Sequence, residues 1–344
     1  MDIRAEPLDL ELKRTFTIAH GASGRRENLL VKLTYGGETG LGEAAIVPYY
    51  GHTRSEAEAV LENLAMVLQD QDPFDLQGLE ENLSILDPAG RAPHVRAALE
   101  CACLDLVGRF LGVPLWKLLG LQPSKAPLTS FTLPILPPRE ILEAAGEVGD
   151  FPILKVKVGS LKDLESLKVL REARPDVILR VDANEGLTLE EALLMVRELE
   201  ALGGVDLFEQ PLAREDLEGL ARVKDASIIP VVADESVRTA RDVFRLAGKV
   251  DGVNLKLAKS GGIRETLKSV AVARAAGMKV MLGCMVESSL GVTAMAHLAP
   301  LADFLDLDGP LLLANDPFRG VGIREGLLDL PEEPGLGCRP ARPA

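Results

Sequence analysis

Aromatic side chains are scarce in this chain, at 4% with a single Trp, although 47% of its residues are apolar. The interior must therefore be built from Leu, Val, Ala and Ile, as in layered α/β proteins. Cysteine is scarce too, with 4 residues in 344, which excludes a disulfide-dense scaffold. Cys101 and Cys103 lie in the apolar helical stretch AALECACLDLVGRFLG, and all four thiols read as reduced packing groups. Positive charge is outnumbered, the formal net charge being -14, and there is no basic stripe; nucleic acid and anionic membrane surfaces are excluded as partners. No run reaches the ~20 apolar residues of a membrane span. The charged N-terminus MDIRAEPLDLELKR lacks the apolar core of a signal peptide, so a soluble cytoplasmic protein is expected. Neither a P-loop nor a G-x-G-x-x-G after the first strand is present, which disfavours a nucleotide-dependent enzyme.

What is present is a change of texture. Residues 1–122 begin with β-like alternation (LLVKLTYGG, TGLGEA) and pass into helical segments (SEAEAVLENLAMVLQ, HVRAALECACLDLVG), an α+β pattern. Over residues 123–318, eight short apolar segments alternate with amphipathic helices such as LEEALLMVRELEALG and GIRETLKSVAVARAAG. The eight are LTSFTLP, ILKVKV, VILRVDAN, VDLFEQP, IIPVVADE, VDGVNLKL, KVMLGCM and FLDLD. That number suits a closed parallel barrel; a doubly wound sheet would use fewer strands. The Pro- and Gly-rich segment 319–344 is expected to be irregular and to return to the first domain.

In such a barrel, function sits at the C-terminal ends of the strands. Those ends carry Lys155, Lys157, Asp182, Asn184, Glu209, Asp234, Glu235, Asn254, Lys256, Asp306 and Asp308 on otherwise apolar strands. Asp182, Glu209 and Asp234 are spaced by 27 and 25 residues, about one βα unit each, so they should converge from three adjacent strands. Any one of them could be a solvated acid, but one per consecutive strand points to an oxygen-rich site for one Mg²⁺, with Mn²⁺ as a substitute. Lys157 and Lys256 come from opposite sides of the barrel mouth and can address opposite faces of one carbon. Period-two alternation sends Lys155 and Lys157 to the same face, where Lys155 and the metal would lower the pKa of Lys157. A metal-bound carboxylate has a more acidic α-carbon, and two opposed lysines invert it by removing and returning a proton.

KVKVG, DANEG, EQP, ADES and NLKLAKSGG, in this order and spacing, resemble the muconate-lactonising branch of the enolase superfamily. The resemblance spans nearly the whole chain, GLGEA and PLWKLLG included. It implies a modified TIM barrel, (β/α)7β, with an N-terminal α+β capping domain whose loops close the barrel mouth. It also implies metal ligands at Asp182, Glu209 and Asp234, acid/base lysines at Lys157 and Lys256, and Lys155 as an electrostatic modulator. Asp306 and Asp308 resemble the DxD motif by which dipeptide epimerases of this branch hold the substrate's α-ammonium, and paired carboxylates suit a cation. In GCMVES, Cys284 and Met285 occupy the place where relatives offer backbone groups to the peptide.

The reading is therefore an isomerase: a Mg²⁺-dependent dipeptide epimerase acting on L-Ala-L-Xaa. The alternatives are an L-Ala-D/L-Glu epimerase, an N-acylamino acid racemase, an o-succinylbenzoate synthase or a cycloisomerase; a catalytically silent barrel stands further off. Glutamate-specific relatives resemble one another in a capping-loop arginine, whose position falls here on Gly21. Arg25 and Arg26 read as surface charges on the next strand, while Tyr49, Tyr50 and His52 offer an apolar surface, which favours a hydrophobic Xaa. His20 and Tyr50 are the capping-loop residues expected at the substrate. Members of this branch are often oligomeric, so a homo-oligomer is compatible, though no segment identifies a contact surface.

Overall fold

The computed structural model describes residues 1–87 and 90–341. Strands β1 (Asp2–Ile18), β2 (Gly21–Tyr35) and β3 (Glu38–Ala44) form an antiparallel meander. Helices α1 (Arg54–Leu68), α2 (Leu76–Leu86) and α3 (Pro93–Leu111) share a core with it. Helix α3 is apolar all round because it is sandwiched. Ala98, Leu99, Ala102 and Leu106 join the core under this sheet, whereas Ala97, Cys101 and Leu104 join the core of the barrel. Strand β3 crosses α3 so closely that a Cβ at Gly42 would lie 2.0 Å from the Ala98 carbonyl oxygen, and one at Gly40 1.9 Å from that of Ala102. The glycines of GLGEA are there because two backbones meet. Cys101, Cys103 and Cys338 are buried free thiols.

A short α4 (Leu115–Leu118) leads into the second sheet. Its strands are β4 (Phe131–Leu133), β5 (Ile153–Lys157), β6 (Ile178–Asp182), β7 (Val205–Glu209), β8 (Val231–Ala233), β9 (Gly252–Leu255), β10 (Lys279–Gly283) and β11 (Phe304–Asp306), adjacent in sequence order. A parallel bridge between Thr129 and Leu305, with Ser130 N–H donating to the Leu305 carbonyl at 3.1 Å, brings the last strand round to the first. Between strands lie α5 (Pro138–Val148), α6 (Leu164–Ala173), α7 (Leu189–Leu202), α8 (Leu217–Asp225), α9 (Ala240–Leu246), the one-turn α10 (Leu257–Ser260) leading into α11 (Ile263–Ala275), and α12 (Ser289–Ala296). No α-helix follows β11 among the described residues, so the architecture is the expected (β/α)7β modified TIM barrel with an N-terminal α+β unit. Each expected strand exists but is shorter than its apolar segment; IIPVVADE, for instance, yields only Val231–Ala233. The excess lies partly beyond the C-terminal ends, in the turns that carry the polar residues.

Inside the barrel, alternation separates two environments. Phe208, Val231 and Leu282 face the helices and belong to the main core, while their neighbours Leu207, Val232 and Met281 form a separate fully buried cluster against which the partly buried Phe304 packs. The Arg180 guanidinium lies 5.2 Å from the Phe304 ring centroid. These side chains plug the lumen, as barrels of this size require. After β11, β12 (Phe318–Arg319), the hairpin β13 (Gly322–Arg324) and β14 (Leu327–Asp329), and β15 (Arg339–Pro340) complete the chain. Gly335 accepts from Leu115 N–H at 2.8 Å and Leu336 N–H donates to Asp105 Oδ1 at 2.7 Å, laying this segment along α3. Among the described residues no helix is long and apolar enough to cross a membrane.

Candidate active site

Parallel register builds the centre of the barrel mouth. Lys157 pairs with Asp182 and Asp182 with Glu209, so three side chains leave neighbouring strands at one level, and Asp234 follows at the end of β8. Asp182, Glu209 and Asp234 are each buried and offer one oxygen apiece, all within 4.8 Å of one another. Burial alone would raise the pKa of Asp182, but the Lys155 and Lys157 ammonium groups outweigh it and hold this carboxyl below its ordinary range. Asp234 is likewise lowered against burial, by Lys256 and Lys259. Glu209 differs: burial and repulsion from Asp182 push it up to about 7. Lys155 Nζ approaches Glu209 Oε2 to 2.8 Å but off the hydrogen-bonding direction, leaving that buried oxygen without a donor. Three converging carboxylates with an unsatisfied inward oxygen fit a hard divalent cation.

Four lysines surround these acids. Lys157 Nζ donates to Asp182 Oδ2 at 2.6 Å and Lys256 Nζ to Asp234 Oδ2 at 2.8 Å. Lys157 ends β5 and Lys256 directly follows β9; these strands are four apart in an eight-stranded barrel, and so lie across its mouth from each other. Lys155 lies one layer deeper, fully buried, 2.9 Å from Asp182 Oδ2 and 2.8 Å from Asp306 Oδ2. Burial lowers its pKa, yet Asp182, Asp306 and Glu209 together raise it well above the ordinary value. Lys256 is raised in the same way by Asp234 against burial. Lys259, which the strand-end census does not reach, donates to the Asp234 carboxylate and, at 2.6 Å, to its backbone carbonyl.

One cavity opens above this floor. Its lining includes Lys157, Lys256, Tyr50, Cys284, Met285 and both Asp306 and Asp308, but neither Lys155 nor His20. The two aspartates are not equivalent. Asp306 accepts from Lys155 Nζ, from Ser130 Oγ at 2.8 Å and from Thr132 Oγ1 at 3.1 Å, whereas Asp308 accepts from Thr132 N–H at 2.6 Å and pairs with no cation among the described residues. Burial and repulsion from Asp306 push Asp308 up to about 7. The N–H groups of Cys284 and Met285 are already used, donating to the Asp306 carbonyl at 3.1 Å and to Glu287 Oε2 at 2.8 Å. That part of the loop therefore has only its carbonyls and side chains to offer a ligand.

The structure corrects the reading of Arg26 as a surface charge. Arg25 is exposed and pairs with Glu27 at 2.9 Å, but Arg26 lines the cavity, and burial lowers its pKa. Two residues on, Asn28 Nδ2 donates to the Val286 carbonyl of the barrel at 3.2 Å. Period-two alternation puts Arg26 on that same barrel-facing side. Among the described residues no carboxylate pairs with it.

Three amides act one step from the chemistry: Asn184 and Asn254 stand among the polar strand ends named from the sequence, Gln210 does not. Asn254 Nδ2 donates to Glu209 Oε1 at 2.8 Å, Gln210 Oε1 accepts from Asp234 N–H at 2.8 Å, and Asn184 Nδ2 donates to Glu235 Oε1 at 3.0 Å. The amide in each of DAN, EQP and VNL was visible; its partner was not. His20 lines an adjoining cavity that shares Phe16, Ile18, Arg26, Val47 and Tyr49 with the one above the carboxylates, its ring stacked on Tyr49 with centroids 4.1 Å apart.

Residues 5–120 match the family model for the mandelate racemase / muconate lactonizing enzyme N-terminal domain, and residues 139–344 the enolase C-terminal domain-like model. The chain is 40% identical to the L-Ala-D/L-Glu epimerase of Bacteroides thetaiotaomicron, over 96% of this chain and 86% of that one. It is 36% identical to the hydrophobic dipeptide epimerase of Enterococcus faecalis, over 95% and 96% of the two chains. Among solved structures, it resembles the dipeptide epimerase of Cytophaga hutchinsonii complexed with Mg and D-Ala-L-Val. That match has a TM-score of 0.92 and 31% identity and covers 99% of this chain and 95% of the other.

Proposed function

The chain belongs to the mandelate racemase / muconate lactonizing enzyme family, and from that premise we propose that it is a Mg²⁺-dependent dipeptide epimerase working by two lysines. The observation that carries the reading is the placement of Lys157 and Lys256 on facing strands, lining one cavity above three converging carboxylates. Mg²⁺ held by Asp182, Glu209 and Asp234 would stabilise the charge that collects on the substrate carboxylate as its α-proton leaves. With Asp234 committed to a cation, Lys256 would lose the carboxylate that raises its pKa. Proton transfer between two faces requires one of the two lysines to be neutral and the other protonated. The neutral lysine takes the α-proton and the protonated lysine opposite delivers another to the other face. Lys155, outside the cavity, does not touch the substrate; it fixes three carboxylates and adds a permanent positive charge beside Lys157.

Asp308, which unlike Asp306 pairs with no cation among the described residues, is the partner for a free α-ammonium. An unblocked L-dipeptide incubated with Mg²⁺ in D₂O is expected to exchange its C-terminal α-hydrogen. Asp308→Asn, or N-acetylation of the peptide, should lower kcat/KM by about 2 kcal/mol or more, roughly 30-fold. A preference for N-acylated amino acids would place the chain with the racemases instead.

The cavity wall of Phe16, Ile18, Val47, Met285 and Leu312 supports a neutral, hydrophobic C-terminal residue. One observation favours a second reading: the uncompensated Arg26 guanidinium suits a side-chain carboxylate, making the substrate L-Ala-D/L-Glu. Comparing kcat/KM for L-Ala-L-Leu and L-Ala-L-Glu decides. The first reading expects a preference for leucine of at least ~10-fold, insensitive in direction to Arg26→Met. A ~100-fold preference for glutamate that Arg26→Met removes would establish the second.

A further inference from the structure

We propose that Glu185 is a positioning residue that fastens both capping loops over the substrate cavity, an inference that rests on reading that cavity as the dipeptide site. The turn after β6 carries two consecutive non-glycine residues in the left-handed region, Asn184 at φ 40 and Glu185 at φ 65. Side chains with a Cβ avoid this conformation. Hydrogen bonds from Glu185 N–H to the Gln210 carbonyl at 2.9 Å and from Gly186 N–H to the Ala183 carbonyl at 2.8 Å hold the turn. The result is a divergence: Asn184 points to Glu235 at the cavity, and Glu185 to the cap.

The buried Glu185 carboxylate gathers groups from three segments. From the barrel, Arg214 donates through its backbone N–H at 2.6 Å, Nε at 3.0 Å and Nη2 at 2.7 Å. From the loop after β3, the Tyr49 hydroxyl donates to Glu185 Oε2. From the loop between β1 and β2, His20 Nε2 lies 3.5 Å from the same oxygen. The rings lock in turn: His20 stacks on Tyr49, and the Arg214 guanidinium sits 4.7 Å from the Tyr49 centroid and 5.5 Å from that of Tyr50. Of this group only Tyr49 and Tyr50 line the cavity. Glu185 and Arg214 therefore act through the tyrosines. A bidentate ion pair on a barrel turn gives the two loops, which also meet through the His20–Tyr49 stack, a common seat on the barrel, and thereby sets how long a bound substrate is retained.

The test uses Glu185→Ala, Glu185→Gln and Tyr49→Phe in the full chain. Hydrogen exchange of the substrate-free protein should rise ~10-fold or more at amides of residues 19–20 and 49–52 in Glu185→Ala, with β5–β7 unchanged. KM for a dipeptide should rise ~10-fold or more with kcat within about threefold, and Mg²⁺ affinity should stay within about twofold. Glu185→Gln, which keeps an acceptor for Tyr49, and Tyr49→Phe, which keeps the ring, should shift both readouts less. Unchanged loop exchange in Glu185→Ala overturns the proposal, as does an unchanged KM. Loss of Mg²⁺ affinity alongside the other changes overturns it too, since that marks the turn as support for the metal strands. If the wild-type chain epimerises no dipeptide, the functional reading falls, and loop exchange alone decides the role of Glu185.

Discussion

Lys157→Ala and Lys256→Ala should each abolish net epimerisation, with rate losses of ~10³-fold or more, because each lysine serves one face of the reacting carbon. The asymmetry of the residual chemistry is the sharper expectation. In D₂O the lysine that remains can still exchange the α-hydrogen of the epimer it faces, so each variant should label one epimer only, and the two variants opposite ones. Lys157→Arg separates charge from chemistry. It retains a cation beside Asp182, now at 2.6 Å from Lys157, but a guanidinium does not deprotonate, so it should be as inactive as the alanine variant. Mass spectrometry of each epimer after incubation measures all three. A variant that still interconverts epimers removes its lysine from the mechanism.

Removal of the metal should be equally severe, with turnover lost in excess chelator and restored by Mg²⁺. Glu209→Gln is the cleanest variant for this purpose. Asp182 and Asp234 also accept hydrogen bonds from Lys157 and Lys256, so changing either disturbs a base as well as a ligand. Glu209 touches neither: its Oε1 accepts from Asn254 and its Oε2 lacks a donor. Calorimetric Mg²⁺ affinity should fall at least ~10-fold in Glu209→Gln, with kcat/KM falling in parallel, as loss of one of three charged ligands implies. The protein should stay folded, because the lysines continue to balance the remaining acids. Full activity in excess chelator would eliminate the metal from the reaction.

The barrel and its central charges were legible because they follow a period. Apolar strands recur once per βα unit, and Asp182, Glu209 and Asp234 recur with them. Lys259 was not legible in the same way. It sits three residues beyond Lys256, in one-turn α10 rather than on a strand, and reaches Asp234 only because that turn folds back. Arg26 reaches the cavity from a strand face and not from the capping loop, and its alternation with Asn28 is the sequence signal for it. Thr132 and Ser130, which fix Asp308 and Asp306, lie in LTSFTLP, where hydroxyls are ordinary strand residues. Their partners stand more than 170 positions away in sequence, a separation no local pattern can bridge.

The segment laid along α3 has a bearing on how such chains can be recombined. A Cβ at Gly108 would sit 2.6 Å from Gly335 Cα, so helix and tail meet backbone to backbone, with Leu115 N–H and Asp105 supplying the bonds. Residues that follow the barrel thus pack against a helix that precedes it. A chimera cut once, between α4 and β4, would inherit a helix from one parent and its covering strap from the other, at a contact that tolerates no added side chain. Exchange of caps between relatives therefore requires two crossovers, the second placed before the strap begins.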